Sequence, residues 1–550
     1  MKIIQIIAFA ILLVLKNIAF SQPIISSQRC FGTSYGDYFT DAIATNDNGF
    51  LATLFYEGTD GDATPDDPIL HPAIIVKFDS VLNIEWQKEF GGTTGYNNTI
   101  KILQLPNGYL IGAFSSATDG DFEGNHGERD FALLKTDFNG NKIWAKCYGG
   151  PGDDYIKSVM ITDDNSYLMT GSANIAGGDI PFIYGDGFST DAVVMKIDSN
   201  GEILWTKVFG GSSYDGPVGD PVLVKPGVYQ MHIYSASDDH DLADADTSAG
   251  ELKRWVVNID ADGNIIKQNF ISSVTDLSTA DGSTVYDNNQ TMIVGVGFAD
   301  SESYPQPEPH EGFEGAVAIF DNSLNLTELH QWGGSHDDRF FRFTNDNYGN
   351  FIFIGSSKSL DGDVPGNYND GLNNDFWMLK TDPDLNKLWS INFGGASANP
   401  YGDIGPGGFV GNLICKNNHI YLFASCVIPN LLPDQDIECG HYSTIPGFNF
   451  TDAWLVDFTL PYNEINDISQ DSIKIFPNPV SEILNVKTAK FNKNVILNIY
   501  NVNSEKVYSN LFEDSSNIIL NTSDFPVGFY LINIINDNKL IYSSTFIVQH

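Results

Sequence analysis

The 550-residue chain carries 70 Asp and Glu against 29 Lys and Arg, a formal net charge of −41. A field of that sign repels phosphate backbones and excludes nucleic acid as a partner, which leaves cations, basic surfaces and neutral glycans. With 42% hydrophobic and 13% aromatic residues the chain can bury a core and is not globally disordered.

The chain opens on MKIIQIIAFAILLVLKNIAFSQ. Lys2 is a positive n-region, Ile3 to Leu15 an apolar stretch too short for a comfortable membrane span, and Ala19-Phe20-Ser21 a small-x-small site. Residues 1–21 therefore read as a secretory signal peptide with cleavage before Gln22. No cysteine follows closely, so no lipid anchor is indicated at that cut, and no later segment could span a membrane. The five cysteines, Cys30, Cys147, Cys415, Cys426 and Cys439, are too few and too scattered for a disulfide framework. A bond among the three late ones is permitted outside the cytoplasm, and the absence of any CxxC pair excludes a zinc site of that type.

Residues 22–460 are periodic. An aromatic-Gly-Gly step begins at Phe90, Tyr148, Phe209, Trp332 and Phe393. A degenerate copy, CFGTSYGD, starts at Cys30, and a missing midpoint falls near Phe270. The landmarks define seven units of about 60 residues. Each unit reads as four apolar strands joined by tight turns, for example IKILQL, YLIGAFSS, FALLKTD and KIWAKCY. Such a sheet cannot bury both faces alone, and radial stacking predicts an all-β, seven-bladed β-propeller. Trp86, Trp144, Trp205 and Trp389 would fill the widening gap between outer blade regions. Gly-Gly would carry the chain to the next inner strand. The seventh unit stops at its third strand, AWLVDFTL (Ala453–Leu460), and PIISSQRCFG (Pro23–Gly32) has the fourth-strand pattern, so the two chain segments should share a blade and leave no open edge.

In such a fold the loops between second and third strands share one face with the crossings after Gly-Gly. Two acidic sets then converge there. One holds Asp60, Asp62, Asp66, Asp119, Asp121, Asp238, Asp241, Asp361 and Asp363; the other holds Asp37, Asp153, Asp154, Asp215, Asp337 and Asp338. The first set offers carboxylates in Gly-rich loops, the chemistry that calcium needs, and calcium is the one cofactor these loops could hold. No loop has the full EF-hand spacing, and the competing reading is a tight turn whose Asp caps backbone amides. The longest irregular loops, in units four, five and seven, make Tyr304, His310, Phe313, His441 and Tyr442 candidates for ligand contact. Because the acids recur from unit to unit instead of concentrating in one, no catalytic residue is assigned.

A polar linker (461–472) leads into residues 473–550, where IKIFPNPVSEILNV is followed by VILNIYN, KVYSNLF, NIILNT, FYLINII and YSSTFIV. Period-2 patterning predicts a small Ig-like β-sandwich. Phe476, Pro477, Asn478 and Pro479, then Pro526, Gly528 and Tyr530, resemble the C-terminal (type A) sorting domain of the type IX secretion system of Bacteroidota. Phe525 stands where that family more often has Leu, and the last strand lacks the lysine often found there. The resemblance implies a cargo of the type IX machinery. It would cross the inner membrane on the leader and the outer membrane by this tail, then lose the tail and be attached to surface lipopolysaccharide or released. The whole chain is therefore expected to be a secreted or cell-surface protein that binds an extracellular glycan or protein through its acidic loop face. A polysaccharide-active hydrolase or lyase is the alternative, and a structural surface protein the third.

Overall fold

The computed structural model describes residues 22–56, 61–62, 72–122, 124–243, 253–272, 280–285, 291–298, 313–346, 348–368, 374–395, 410–427, 436–440, 451–460, 474–476, 480–487, 495–501, 506–512, 517–523, 525–536 and 539–549. The predicted leader and the 461–472 linker lie outside the described residues. Two compact units emerge, one of Ser21–Leu460 and one containing Pro461–His550. Among the described residues no helix is long and apolar enough to cross a membrane.

The larger unit contains seven four-stranded antiparallel sheets. In chain order, the first sheet is Asp37–Ala44, Phe50–Tyr56, Ala73–Phe78 and Ile84–Phe90; the second is Asn97–Leu105, Gly108–Ser115, Asp130–Thr136 and Lys142–Tyr148. The third is Asp154–Ile161, Tyr167–Ala173, Asp191–Ile197 and Ile203–Phe209; the fourth is Asp215–Lys225, Val228–Ser235, Lys253–Asp260 and Ile265–Ser272. The fifth is Ala280–Val285, Thr291–Phe298, Phe313–Phe320 and Leu326–Trp332, and the sixth Asp338–Asn345, Phe351–Ser357, Asp375–Thr381 and Lys387–Phe393. The seventh takes Val410–Lys416, His419–Val427 and Thr451–Thr459 from one end of the unit and Ile24–Phe31 from the other. First strands of successive sheets pack on one another, and Val410–Lys416 packs back on Asp37–Ala44. The arrangement is propeller-like.

The burial pattern follows from that stacking. Second and third strands such as Gly108–Ser115 and Asp191–Ile197 are buried along their whole length, which is why they read as unbroken apolar runs. Fourth strands such as Ile84–Phe90 are half exposed. The ring of Trp86 lies where a side chain on Gly140, in the next sheet's last hairpin, would have to go, and Trp205 stands in the same relation to Gly263. That hairpin position is left-handed in every sheet where it is described. Glycine fills it at Gly140, Gly201 and Gly263, while Leu82, Leu324 and Leu385 adopt the same φ of 62–67° and bury their side chains.

Ile24–Phe31 pairs with Thr451–Thr459 in antiparallel register, from Ile24 opposite Thr459 to Phe31 opposite Ala453. Gln28 ties the strand further, because its Oε1 accepts from the Trp454 indole N–H at 3.0 Å and its Nε2 donates to the Asp436 carbonyl at 2.8 Å. A disulfide joins Cys30 to Cys439. The bond permitted among the three late cysteines is not the one formed: one of them pairs with Cys30 across the two segments that share the seventh sheet, and Cys147, Cys415 and Cys426 are free thiols.

In the tail unit, a three-stranded sheet (Lys474–Phe476, Ile483–Lys487, Asn517–Asn521) and a four-stranded sheet (Lys506–Phe512, Val495–Asn501, Gly528–Asn536, Lys539–Val548) contribute to one core. That core includes Leu484, Val486, Leu497, Ile499, Ile532 and Phe546. Tyr530 is buried there, and its hydroxyl donates to the Pro526 carbonyl at 2.7 Å. This bond explains why Pro, Gly and Tyr stand at a fixed spacing: the tyrosine pins the corner that leads into its own strand. Val480, which follows the FPNP motif in sequence, bridges Val548 in parallel and joins the Lys539–Val548 strand. Pro477, Asn478 and Pro479 lie outside the described residues.

Candidate functional site

The Asp-Gly-Asp loops and the Gly-Gly crossings do meet, and they hold each other. In six sheets the N–H of the loop's second Asp donates to the carbonyl of the crossing's first glycine: Asp62 to Gly32, Asp121 to Gly91, Asp179 to Gly149, Asp241 to Gly210, Asp363 to Gly333 and Asp436 to Gly394, at 2.7–3.3 Å. In four of these the glycine N–H returns a bond to the same carboxylate at 3.1–3.2 Å. The loop's first Asp accepts from a later crossing amide, as Asp119 does from Thr93, Asp239 from Ser212 and Asp361 from Ser335. Lys142 adds an ion pair to Asp121, and Lys387 to Asp363. The residue before the second Asp is left-handed at Gly61, Gly120, Gly178 and Gly362, and in the fourth sheet at His240, with φ 50°. In five of the loops a buried apolar side chain follows the second Asp: Phe122, Ile180, Leu242, Val364 and Ile437.

These loops are clasps. Asp119, Asp121, Asp241 and Asp361 direct oxygens at backbone amides, Asp62 and Asp363 take part through their own N–H, and Asp238 is exposed beside a clasp made by Asp239 and Asp241. Asp60 and Asp66 lie outside the described residues. Among the described residues no three His, Cys, Asp or Glu side chains stand where they could hold a metal ion. Asp121→Ala removes the Gly91 amide's acceptor and the Lys142 partner. It should cost about 1–3 kcal/mol, read as a lower urea midpoint with an unchanged slope.

The second acidic set divides. Asp153 pairs at the surface with Arg129 at 2.7 Å, and Asp337 accepts from the Phe313 N–H at 3.1 Å. Asp37, Asp154, Asp215 and Asp338 are fully buried. Asp154, Asp215 and Asp338 each face an acid at the start of the preceding sheet's third strand, namely Asp130, Asp191 and Glu314. These pairs are sealed from solvent, unlike the open carboxyl pair that a glycosidase sets around its sugar.

The described loop face has one aromatic platform. It sits on residues 174–190, between the second and third strands of the third sheet. Tyr184 stacks on His240 with ring centroids 4.5 Å apart, and Phe182 meets Tyr184 edge-on at 5.0 Å. Phe188 is 94% exposed, and Ile175, Phe182 and Tyr214 are also exposed. The loop is anchored, not free: the Tyr184 N–H donates to Asp191 at 2.6 Å, the Tyr184 hydroxyl reaches Asp241 at 3.4 Å, and Asp186 accepts from the Phe188 N–H at 3.0 Å. Of the predicted ligand contacts, Phe313 is described; the Arg339 guanidinium lies over its ring at 5.2 Å. Tyr304, His310, His441 and Tyr442 lie outside the described residues. The platform lies outside the predicted contacts, which fall on the longest irregular loops, those of units four, five and seven. Its signal, PFIYGDGF, is an aromatic run in the loop of unit three.

A second polar group sits on the first strands, where these converge. All seven first strands carry a register break against their neighbours. Asp41, Lys101, Ser158, Asp220, Arg342 and Asn412 stand at those breaks, consistent with bulges re-aiming side chains. Lys101 pairs with Asp220 at 2.8 Å across two sheets, Ser158 donates to Asp220 at 2.5 Å, and Asn412 donates to Asp41 at 2.9 Å. Burial pushes the Asp41 carboxyl up. For Asp220 burial acts the same way, but the Lys101 ammonium, the Ser158 hydroxyl and the Arg342 charge together outweigh it and hold the carboxyl below its ordinary range.

Residues 474–549 match the family model described as a secretion system C-terminal sorting domain. A search of curated proteins finds no match to the chain. Among solved structures the chain is similar to Kuenenia stuttgartiensis hydrazine synthase (11% identity, 71% of this chain and 93% of that one, TM-score 0.39). It is also similar to the Neurospora crassa Pan2 WD40 domain (10% identity, 79% and 98%, TM-score 0.35). A third similar structure is BBS1N in complex with ARL6DN (8% identity, 80% and 98%, TM-score 0.39).

Proposed function

We propose that this type IX secretion cargo, which its sorting tail directs to the cell surface or the medium of a Bacteroidota cell, is a closed seven-bladed β-propeller with an Ig-like tail that binds an extracellular glycan or protein through its loop face. The observation that carries the binding role is the anchored Phe182–Tyr184–His240 stack with Phe188 projecting beside it, among the carboxylates of Asp186, Asp239 and Asp241. Exposed aromatic surface held by a rigid scaffold is what a recognition site needs, and the acids can accept hydroxyl or ammonium donors. The cyclic packing of first strands and the seventh sheet's two-ended composition support the closed ring. The two sheets around one core support the Ig-like tail.

The test is an array of glycans and extracellular proteins probed with the mature full chain, with and without EDTA. A bound ligand should lose about tenfold in affinity in Phe182→Ala and in Phe188→Ala, with melting temperature unchanged, because both rings are exposed. Loss of binding on chelation would bring calcium into the reading as an organiser of the loops. Turnover of an arrayed polysaccharide would replace the binding role by the enzymatic one. Binding unaffected by both substitutions would remove the platform from it.

A further inference from the structure

We propose that the buried carboxyl pairs Asp191–Asp215 and Asp130–Asp154 each hold one proton, shared between the two carboxyls, and that this proton closes the junction between neighbouring sheets. All four side chains are 0% exposed. In each, Oδ2 is occupied. Asp191 Oδ2 accepts from the Tyr184 N–H at 2.6 Å, and Asp215 Oδ2 from the Gly211 N–H and the Ser237 hydroxyl, both at 2.7 Å. Asp130 Oδ2 accepts from the His126 N–H at 2.9 Å and faces its Nδ1 at 2.7 Å, and Asp154 Oδ2 accepts from the Gly150 N–H at 2.6 Å. In each, Oδ1 is buried without a hydrogen-bond partner. In each pair the Oδ1 of Asp191 or Asp130 meets the Oδ2 of its partner over one glycine, and one proton per pair supplies a donor that these buried oxygens otherwise lack.

The two acids of a pair close over one glycine. The point where a Gly210 side chain would begin lies 2.8 Å from Asp191 Oδ1 and 2.6 Å from Asp215 Oδ2. The corresponding point at Gly149 lies 3.0 Å from Asp130 Oδ1 and 2.3 Å from Asp154 Oδ2. Two carboxylates this close and this dry cannot both be charged. Burial, then the partner acid among nearby carboxylates, pushes Asp154 up to about 8 and Asp191 up to about 7. The other charged groups that face the pairs are accounted for. Asp241, which lies beside His240, faces Asp191, and Lys253 faces Asp215. Asp179 and His126 face Asp130, and Asp153, neutralised by Arg129, faces Asp154.

The repeat varies in step with this reading. At the junction of the first and second sheets the pair is replaced by Pro72 and Asn97, which flank Gly91 as the acids flank Gly149, so a neutral residue has lost its partner acid as well. In the fourth sheet the third strand starts with Lys253, opposite Ser235, at the register where Asp130 lies opposite Ser115. Because Asp191 also holds the Tyr184 amide, the proton at this junction bears on the placement of the aromatic platform.

A carboxyl that keeps its proton when folded but gives it up near pH 4 when unfolded stabilises the fold below its unfolded value and loses that contribution as pH rises through its folded value. The full chain should therefore weaken between about pH 4 and about pH 8, the unfolding equilibrium constant rising about tenfold per pair for each pH unit in that window and levelling off above it. The double variant Asp154→Asn/Asp215→Asn supplies an amide donor in place of each proton, and its dependence on pH should be shallower by those two protons. An unchanged slope would overturn the proposal. So would a wild-type midpoint at pH 9 that rises with millimolar Ca2+ and falls with EDTA while the double variant ignores both, since the pairs would then be cation sites. Should the variant not fold, difference infrared spectra of the wild-type chain carry the test. A protonated-carboxyl C=O band present at pH 6 should disappear with a midpoint between about 7 and 8, and the absence of such a band at pH 6 would refute the shared proton.

Discussion

Cutting the Cys30–Cys439 bridge lowers the stability of the larger unit by about 4 kcal/mol. The two sulfurs are 409 residues apart, so the bond closes a loop around nearly the whole unit. In the chain-entropy account the denatured chain loses more freedom the longer the loop that a crosslink closes, and a loop of this size falls at the upper end of the usual 2–5 kcal/mol. The native cost is local as well. Ile24–Phe31 holds its place in the seventh sheet by pairing with Thr451–Thr459 and through the Gln28 contacts to Trp454 and Asp436. If it frays, Thr451–Thr459 becomes an open edge, a template for pairing with another chain. Cys30→Ser should lower the urea midpoint and increase aggregation in the transition region, and dithiothreitol should do the same to the wild type. Cys415→Ser, which touches a free thiol, should do neither. Equal midpoints for Cys30→Ser and wild type would show that strand pairing alone holds the seventh sheet together.

Why this bond was not readable from the cysteines, while the sheets were, comes down to the range of the signals. A sheet announces itself within about 60 residues: the apolar runs are continuous because the second and third strands are covered on both faces, as at Gly108–Ser115. Even the seventh sheet could be anticipated, because a fourth-strand pattern was missing at Leu460 and present at Pro23. A cysteine carries no such pattern, and only the pairing of Ile24–Phe31 with Thr451–Thr459 brings Cys30 near Cys439. The same limit applies to the central polar group. A bulge leaves no mark on the apolar alternation, so nothing singled out Lys101 or Asp220 before their strands were laid side by side. Aspartate was the hardest residue to read. The same letter caps amides in the clasp at Asp361, builds the last hairpin at Asp137, and is sealed in a pair at Asp154. Spacing separates these roles once a copy with altered residues is seen: His240 in the left-handed position shows that the fourth sheet's clasp runs from Asp239, one residue later than the loop had suggested.

Deletion of residues 474–549 should abolish delivery to the cell surface and medium and leave the larger unit folded in the periplasm. The two parts are separate compact units with separate cores, so the first does not depend on the second for its fold. The matched domain, by contrast, depends on its own assembly. Val480 takes an N–H···O bond to Ile547 and returns one from Gln549, at 2.8 and 2.9 Å, which joins the residue after the FPNP motif to the strand at Lys539–Val548. Removing that strand alone, by deleting 539–549, leaves Val480, Ile532 and Ile534 uncovered and should block export as completely as removing all of 474–549, although every residue of the motif remains. Tyr530→Phe removes only the hydroxyl that holds the Pro526 carbonyl, costs about 1 kcal/mol, and should leave export nearly intact. Immunoblots of periplasm, surface and medium separate the cases, with the periplasmic pool serving as the control for degradation. If the 539–549 deletion is exported normally, the machinery reads the motif as a linear peptide, and the sandwich has no part in recognition.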